Sequence, residues 1–414
     1  MEPTPPQPLI ANDAVVLGIL MVILGLVFWT SSRETGFWKK FYGFVPSLLM
    51  CYFIPSLLAT VGLISDETSN LYFVASRFLL PTALVLLTLS VDLPGVARLG
   101  PRAVIMFFTG TLGIMFGGPL AIVIISWFNP EVVGGEAWRG LSTVAGSWIG
   151  GGANQAAMFE VFEVDQKIFA AYVAVDIIVA NVWMAFLLFG VGISTRIDRF
   201  LRADASAIER VRQTVEEYQA SITRLPRLPD TMIVLAVGFG VTGLAQLAAS
   251  NIAPWLAATA PVLERLSLGS NFFWLVVLAT LGGLLLSFTR ARQLEGVGAS
   301  RVGSVFIYVL VATIGMKMNL RAIFEHPGLF VVGALWLAIH AALLIGVAWL
   351  IRAPFFFLAV GSQANVGGAA SAPIVASAFS PSLAPVGVLL AVLGYALGTV
   401  GAWACGQMMR IVAP

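Results

Sequence analysis

Gly146-Ser147-Trp148-Ile149-Gly150-Gly151-Gly152-Ala153-Asn154-Gln155-Ala156-Ala157 has a second copy in the other half of the chain, Gly361-Ser362-Gln363-Ala364-Asn365-Val366-Gly367-Gly368-Ala369-Ala370-Ser371-Ala372. Set together without a gap, Gly146 and Gly361, Ser147 and Ser362, Gly152 and Gly367, and Ala157 and Ala372 coincide. Glycine costs a helix about 1 kcal/mol per position relative to alanine, so neither run reads as a continuous helix. Both lie in apolar surroundings, where unpaired backbone survives only inside protein or against a wet cavity. One such break in each half is the pattern of a secondary transporter's binding site.

Composition sets the solvent. Hydrophobic residues make up 59% of the 414 and charged residues only 11%, with mean hydropathy +0.93, whereas globular chains are about 25% charged. Apolar segments fall at 14–29, 42–64, 71–90 and 103–127, then the broken stretch 141–162, then 168–193. The order returns at 231–249, 271–288, 303–316 and 328–351, the broken stretch 354–378, and 383–408. Each is near the ~20 residues of a membrane crossing. The chain therefore reads as an all-α polytopic membrane protein with two repeats of about five spans, 1–193 and 231–414. A polar segment, 194–230, separates them. There Leu201, Ile208, Val211, Val215, Tyr218, Ile222 and Leu225 keep a 3-4 spacing between charges, the mark of an amphipathic helix that lies on the inner membrane surface or pairs with a second copy. Asp92-Leu93 and Asn319-Leu320, each followed by a proline at Pro101 or Pro327, are a weaker echo of the duplication.

Orientation follows from charge. If each broken stretch is a re-entrant hairpin and the N-terminus lies outside, sixteen of the 23 Lys and Arg fall in cytoplasmic loops, six fall outside, and Arg77 stays within a span. If each broken stretch crosses once, the count turns to nine inside and thirteen outside. The positive-inside rule favours hairpins. Five spans per half then make the repeats inverted, with hairpins entering from opposite faces. The first thirteen residues hold Glu2 and Asp13 but no Lys or Arg, so the first segment is expected to stay as a span rather than a cleaved leader. Cys51 and Cys405 both fall in apolar segments and read as packing residues, not a disulfide. The net charge of +2 gives nucleic acid no foothold.

Polar groups in hydrocarbon are expensive and mark paths. Asp176 reads either as a cation ligand or proton carrier, or as a structural acid paired in the bundle. Asn181 follows five positions on, some 140° around the helix. The second half offers only glycines, Tyr395 and Thr399 in the matching region. Arg77 either snorkels to the surface or meets a substrate carboxylate; His340 reads as a satisfied core histidine, and Glu160 as a solvated acid near a hairpin's open end. At the tips, the arm that follows the glycines offers free N–H groups and a positive dipole end. Ser147, Gly151, Gly152, Asn154, Gln155, Ser362, Gln363, Asn365, Gly367, Gly368 and Arg77 are the candidate substrate-binding residues, and Asp176 and Asn181 the candidate ion-coupling pair. The competing reading of the glycines is close helix packing. No zinc, nucleophile-elbow or Walker motif occurs, so the expectation is no enzyme, no cofactor and no metal beyond a transported sodium ion.

The Gly-Ser-Trp-Ile-Gly-Gly-Gly-Ala-Asn run, the Gly-Ser-Gln-Ala-Asn-Val-Gly-Gly run and the stretch 172–181 resemble the YjcL-like integral membrane proteins of bacteria and plant plastids, a family with a domain of unknown function. More distantly the plan is similar to the glutamate:sodium and 2-hydroxycarboxylate symporters. That similarity implies two inverted five-span domains with glycine-rich hairpins, a homodimer and an elevator motion. The sequence departs from those symporters in having no arginine near the second tip to hold a di- or tricarboxylate. The resulting expectation is a sodium- or proton-coupled symporter for a small organic anion or amino-acid-like solute in the bacterial inner membrane. The alternatives are a cation/proton antiporter relying on Asp176 and a membrane sensor or scaffold built around the polar segment.

Overall fold

In the computed structural model, residues 8–33, 35–45, 47–65, 69–91, 96–97, 99–203, 226–260, 268–317, 322–380 and 383–414 are described. The amphipathic stretch 204–225 and both Asp92-Leu93 and Asn319-Leu320 lie outside them. The described chain is all helix, with no strand. Its principal elements are α1 (Asp13–Ser31), α2 (Gly36–Phe44), α3 (Ser47–Thr60), α4 (Leu71–Leu89) and α5 (Pro101–Ser126). The first broken stretch forms α6 (Ala137–Gly150) and α7 (Gly152–Val161), followed by α8 (Gln166–Gly192) and α9 (Ser194–Leu201). The second half runs α10 (Leu228–Thr259), α11 (Asn271–Ser287), α12 (Ala299–Gly315) and α13 (Gly328–Ile351), then α14 (Phe355–Val366), α15 (Gly368–Phe379) and α16 (Ala384–Val412).

Seven of these helices are long and apolar enough to cross a bilayer alone, and nine do so if each of two sharply bent pairs is one crossing. The 17-residue α12 is a shorter apolar helix between α11 and α13. The ends follow local chemistry. Asn12 caps α1 by accepting from the N–H of Ala14 at 2.9 Å and of Val15 at 3.3 Å, and Pro101 opens α5 where its missing N–H costs nothing. One expectation needs correction. The apolar stretch 42–64 is not one straight helix, because α2 lies at 92° to α3 and takes Tyr42 with it. Its sequence, Gly-Phe-Trp-Lys-Lys-Phe-Tyr-Gly-Phe, explains the bend: aromatics beside lysines prefer the headgroup level to the hydrocarbon.

Most helix packing falls within two groups, which meet where α16 and α7 lie against α4 and α11. α1, α3, α4, α10, α11 and α12 form one, with α4 at its centre. α5, α8, α13 and α16 form the other and enclose both broken stretches. Hydrocarbon supplies no hydrophobic drive between helices, so close packing and buried hydrogen bonds hold the groups together. Thr82 and Thr242 share a bond of 3.0 Å, and the Thr88 hydroxyl donates to the Thr280 carbonyl at 3.2 Å. Trp336 inserts from α13 against Gly117 and Gly118 of α5 and donates its indole N–H to the Ile114 carbonyl at 2.8 Å. Cys51 and Cys405 are buried and unbonded to each other, as their apolar settings imply.

Candidate functional site

Both broken stretches fold back on themselves. At the first, Trp138 and Phe162 stack edge to face at 5.3 Å, and Arg139 donates to the Phe162 carbonyl at 2.6 Å. The start of α6 and the end of α7 are therefore side by side. At the second, Phe379 meets Phe355 at 5.9 Å and Phe356 at 5.2 Å, which closes α14 against α15. The hairpins open toward opposite ends of α8. The first leads directly into its N-terminus. The mouth of the second sits against the α8 C-terminal region, with Phe355 packed on Gly190 and its N–H bonded to Asp198 of α9 at 2.7 Å.

The tips demand glycine where they turn. Gly151 has φ 74 and ψ −175, a region open almost only to glycine, and Gly368 has φ 59. The tips meet: a Cβ on Gly368 would lie 4.0 Å from the Gly151 Cα. Behind the first tip, Gly150 crosses α16 at Gly394 and Gly398, so close that a Cβ on Gly150 would lie 2.8 Å from the Gly398 Cα. Close packing and site geometry are thus two uses of the same glycine runs, divided between neighbouring positions.

A cavity of about 620 Å³ begins at the tips and runs along α8 from Asp176 to Met184. Ser147, Gly151, Gly152, Asp176, Asn181, Gln363, Gly367 and Gly368 line it among the sequence candidates. The α8 wall is a helical face, Asp176, Ile177, Ala180, Asn181 and Met184, so Asn181 borders the same space as Asp176 despite its angular offset. Ser31, Tyr42, Ser47, Ser304, Tyr308, Ser371 and Tyr395 complete the polar lining. Of these the sequence drew attention only to Tyr395; hydroxyls in apolar helices are too common to single out, and only the fold collects them.

Asp176 is the single Asp, Glu, Lys or Arg among the described buried residues, 3% exposed. Its Oδ2 accepts from Gln155 Nε2 at 2.9 Å, and Gln155 Oε1 accepts from the Tyr52 hydroxyl at 3.2 Å. Ser147 lines the same cavity beside the carboxylate. Gln155 is therefore spent holding Asp176 and linking the first hairpin to α3. Tyr52, which the sequence did not mark, sits in an ordinary aromatic-rich segment and gave no signal.

Other candidates lie behind the cavity wall. Asn154 donates to the Gly150 carbonyl at 2.8 Å and accepts from Thr399 of α16 at 2.6 Å. Asn365 donates to the Gly361 carbonyl at 2.9 Å and the Phe107 carbonyl at 3.0 Å, and accepts from Thr111 of α5 at 2.8 Å. Each hairpin thus carries an Asn that closes its own preceding turn and takes a threonine from a crossing span. Such interhelical bonds contribute about 0.6 kcal/mol each in membranes; two matched anchors fix the tips in place. Ser362 joins a second network, accepting from Trp183 Nε1 at 2.8 Å and meeting His340 Nε2 at 2.8 Å. His340 Nδ1 faces the Gly110 carbonyl at 3.1 Å and must donate, so Nε2 accepts from Ser362. That is a satisfied core histidine.

Arg77 lies away from the cavity. It sits in a π-helical turn of α4, Ala75–Leu79, pairs with Glu160 at 3.0 Å and covers the Phe272 ring at 4.5 Å. Glu160, expected to be solvated, is 12% exposed in its side chain and also accepts from the Tyr72 hydroxyl. Lys317 stacks on Tyr72 at 3.8 Å. The returning arm of the first hairpin is consequently pinned to α4 at the end opposite the cavity mouth. Among the described residues no cluster of three His, Cys, Asp or Glu side chains could hold a metal.

Over residues 18–412 the chain matches the model of the family described as protein of unknown function (DUF819), and it belongs to that family. It is 24% identical over 353 residues to the "Uncharacterized membrane protein YjcL" of Bacillus subtilis (strain 168), covering 83% of this chain and 84% of that protein. The protein is thus a membrane protein with multiple apolar helices.

Proposed function

We propose that this protein is a secondary active transporter that carries a small organic solute through the bilayer by alternating access, coupled to sodium ions or protons at Asp176. One observation carries the reading: two glycine-tipped hairpins from opposite ends of α8 meet at a cavity that holds the only described buried charge. A lone carboxylate in a membrane interior is expensive, and binding a cation or proton for part of a cycle offsets that cost. In this reading the halves are inverted five-span repeats and the chain works as a homodimer in the bacterial inner membrane. The mouth of the second hairpin faces the cytoplasm, since Arg352 lies just before it and Arg196, Arg199 and Arg202 lie on or beside α9, which bonds it. The cavity is then open inward, and the pinned first hairpin closes the outer side.

The test is electrical. Protein reconstituted on a solid-supported membrane is challenged with sodium or pH jumps, with and without pooled organic acids and amines. Solute-dependent charge displacement that vanishes in Asp176→Asn is expected; displacement unchanged in the variant would contradict the coupling role. The cation/proton antiporter is the second reading, favoured by the absence of a cationic side chain from the described cavity lining. It predicts displacement from cation and pH jumps with no organic solute present.

A further inference from the structure

The polar chemistry of the cavity is one-sided. No Lys, Arg or His occurs among its described lining residues, and its one charged group is the Asp176 carboxylate. Its amides present oxygen. Asn181 commits its Nδ2 to the Ile177 carbonyl at 2.7 Å, which leaves Oδ1 to accept. Gln363 commits Nε2 to the Ser371 hydroxyl at 2.7 Å, and its Oε1 is buried with no hydrogen-bond partner, in a residue only 1% exposed. A buried acceptor left unsatisfied costs about 1–3 kcal/mol. Gln363 lines the cavity, so the partner this oxygen lacks can come from whatever fills that space. The space is far larger than one dehydrated inorganic cation. Leu48, Leu87, Ile307, Val366 and Ile374 give it apolar surface to set against a carbon chain.

We infer that the solute of this cavity is an organic ammonium compound, whose protonated nitrogen is taken by the Asp176 carboxylate with the Gln363 and Asn181 amide oxygens as further acceptors. A primary ammonium has three N–H donors and no acceptor, the complement of this set. A simple carboxylate would instead bring like charge toward Asp176. The N-terminal ends of α7 and α15 at the tips leave room for a solute that also bears an acid group, but the ammonium is the part the wall selects. This inference rests on reading the cavity as the transported solute's site.

The experiment measures thermal unfolding of the full-length protein in lipid nanodiscs at pH 7, in sodium and in potassium buffer. The probes are butylammonium, 2-aminobutyrate, butyrate and butanol, four compounds of one chain length. A ligand that binds only the folded state raises the melting temperature by mass action. Butylammonium, 2-aminobutyrate or both are expected to stabilise, and butyrate and butanol are not. Asp176→Asn should abolish the shift, and Gln363→Met should weaken the binding about tenfold, the worth of one such hydrogen bond, with ligand-free melting close to wild type in both. The wild-type comparison needs no variant to fold. Stabilisation by butyrate without the amines, amine stabilisation that persists in Asp176→Asn, or no response to any probe would each overturn the inference. Asp176-dependent charge displacement driven by butyrate would overturn it and leave the transport reading standing. Silence of all probes in both assays removes both.

Discussion

The two hairpins share a construction and differ in what surrounds them. Each turns at a glycine of positive φ, Gly151 or Gly368, and each is anchored through an Asn to a threonine of a crossing span. The first is then tied twice more, through Gln155 to Asp176 and Tyr52, and through Glu160 to Arg77 and Tyr72. The second is also tied twice more, through Ser362 to Trp183 and His340 and through the Phe355 N–H to Asp198, and it borders the cavity along its returning arm at Ser371 and Ile374. The first hairpin is thus held through its returning arm and the second through its entering arm, which leaves the second's returning arm beside the open path. The repeat supplies the geometry, and the unrepeated residues supply the chemistry.

The largest effect expected from breaking this asymmetry is at Asp176. Asp176→Asn keeps the shape and the Gln155 contact but removes the charge and the titration, so solute-dependent charge displacement should fall to background while the protein still inserts and folds. The tips come next. Gly151→Ala forces a side chain into a backbone region that costs about 1–3 kcal/mol, and should both lower thermal stability and abolish ligand stabilisation. Gly152→Ala should do neither, since a Cβ there meets only the Ile307 Cγ2 at 3.9 Å. On the second hairpin the matching test is Gly367→Ala, whose Cβ would collide with Gln363 and Ser371 and should weaken binding without backbone strain. Equal behaviour of Gly151→Ala and Gly152→Ala in the melting assay would refute the assignment of the turn.

Smaller changes sharpen the contrast. Arg77→Gln or Glu160→Gln should cost at most about 1 kcal/mol, because Arg77 is more than a third exposed. Either variant should increase labelling of a cysteine at Gly152 from the first hairpin's side, and unchanged labelling would deny that the pair restrains that hairpin. The smallest effect concerns Asp198, outside the membrane-spanning helices, which accepts the Phe355 N–H at the second hairpin's mouth. Burial raises its carboxyl above the ordinary value, against the opposing pull of that N–H. The native state then binds more protons than the unfolded one between the ordinary and the raised values, so this group's contribution to stability falls as pH rises through that window. Asp198→Asn, which keeps an acceptor for Phe355, should flatten that slope in pH-dependent melting; an unchanged slope would show that Asp198 does not set it.

Much of this arrangement is legible in the sequence, for physical reasons. Hydrophobic runs of membrane length announce themselves, and α13 was expected at 328–351 and is found at Gly328–Ile351. The glycine runs and Asp176 stand out because hydrocarbon tolerates neither broken backbone nor charge without cause. The sequence could not separate wall from support. Asn154 and Asn365 looked like ligands, but their oxygen and nitrogen atoms are taken by threonines and by carbonyls. Whether an amide faces a cavity depends on which helix crosses behind it, and one chain's periodicity does not say. Arg77 and Glu160 were read apart because they are far apart in sequence, and the π-helical turn that presents Arg77 has no sequence mark. The bend at Tyr42 was hidden by hydropathy that continues through it.

The central claim is that the two hairpins enter from opposite sides and meet. It is tested most directly at their mouths, which stay exposed whatever state the cavity adopts. With Cys51 and Cys405 replaced by alanine, single cysteines are placed at Glu163, beyond the end of α7, and at Arg352, just before α14, both exposed positions. Each is treated with an impermeant maleimide in right-side-out and in inverted vesicles. The account predicts that the cysteine at 163 labels only in right-side-out vesicles and the one at 352 only in inverted vesicles. Labelling of both from the same side would contradict it.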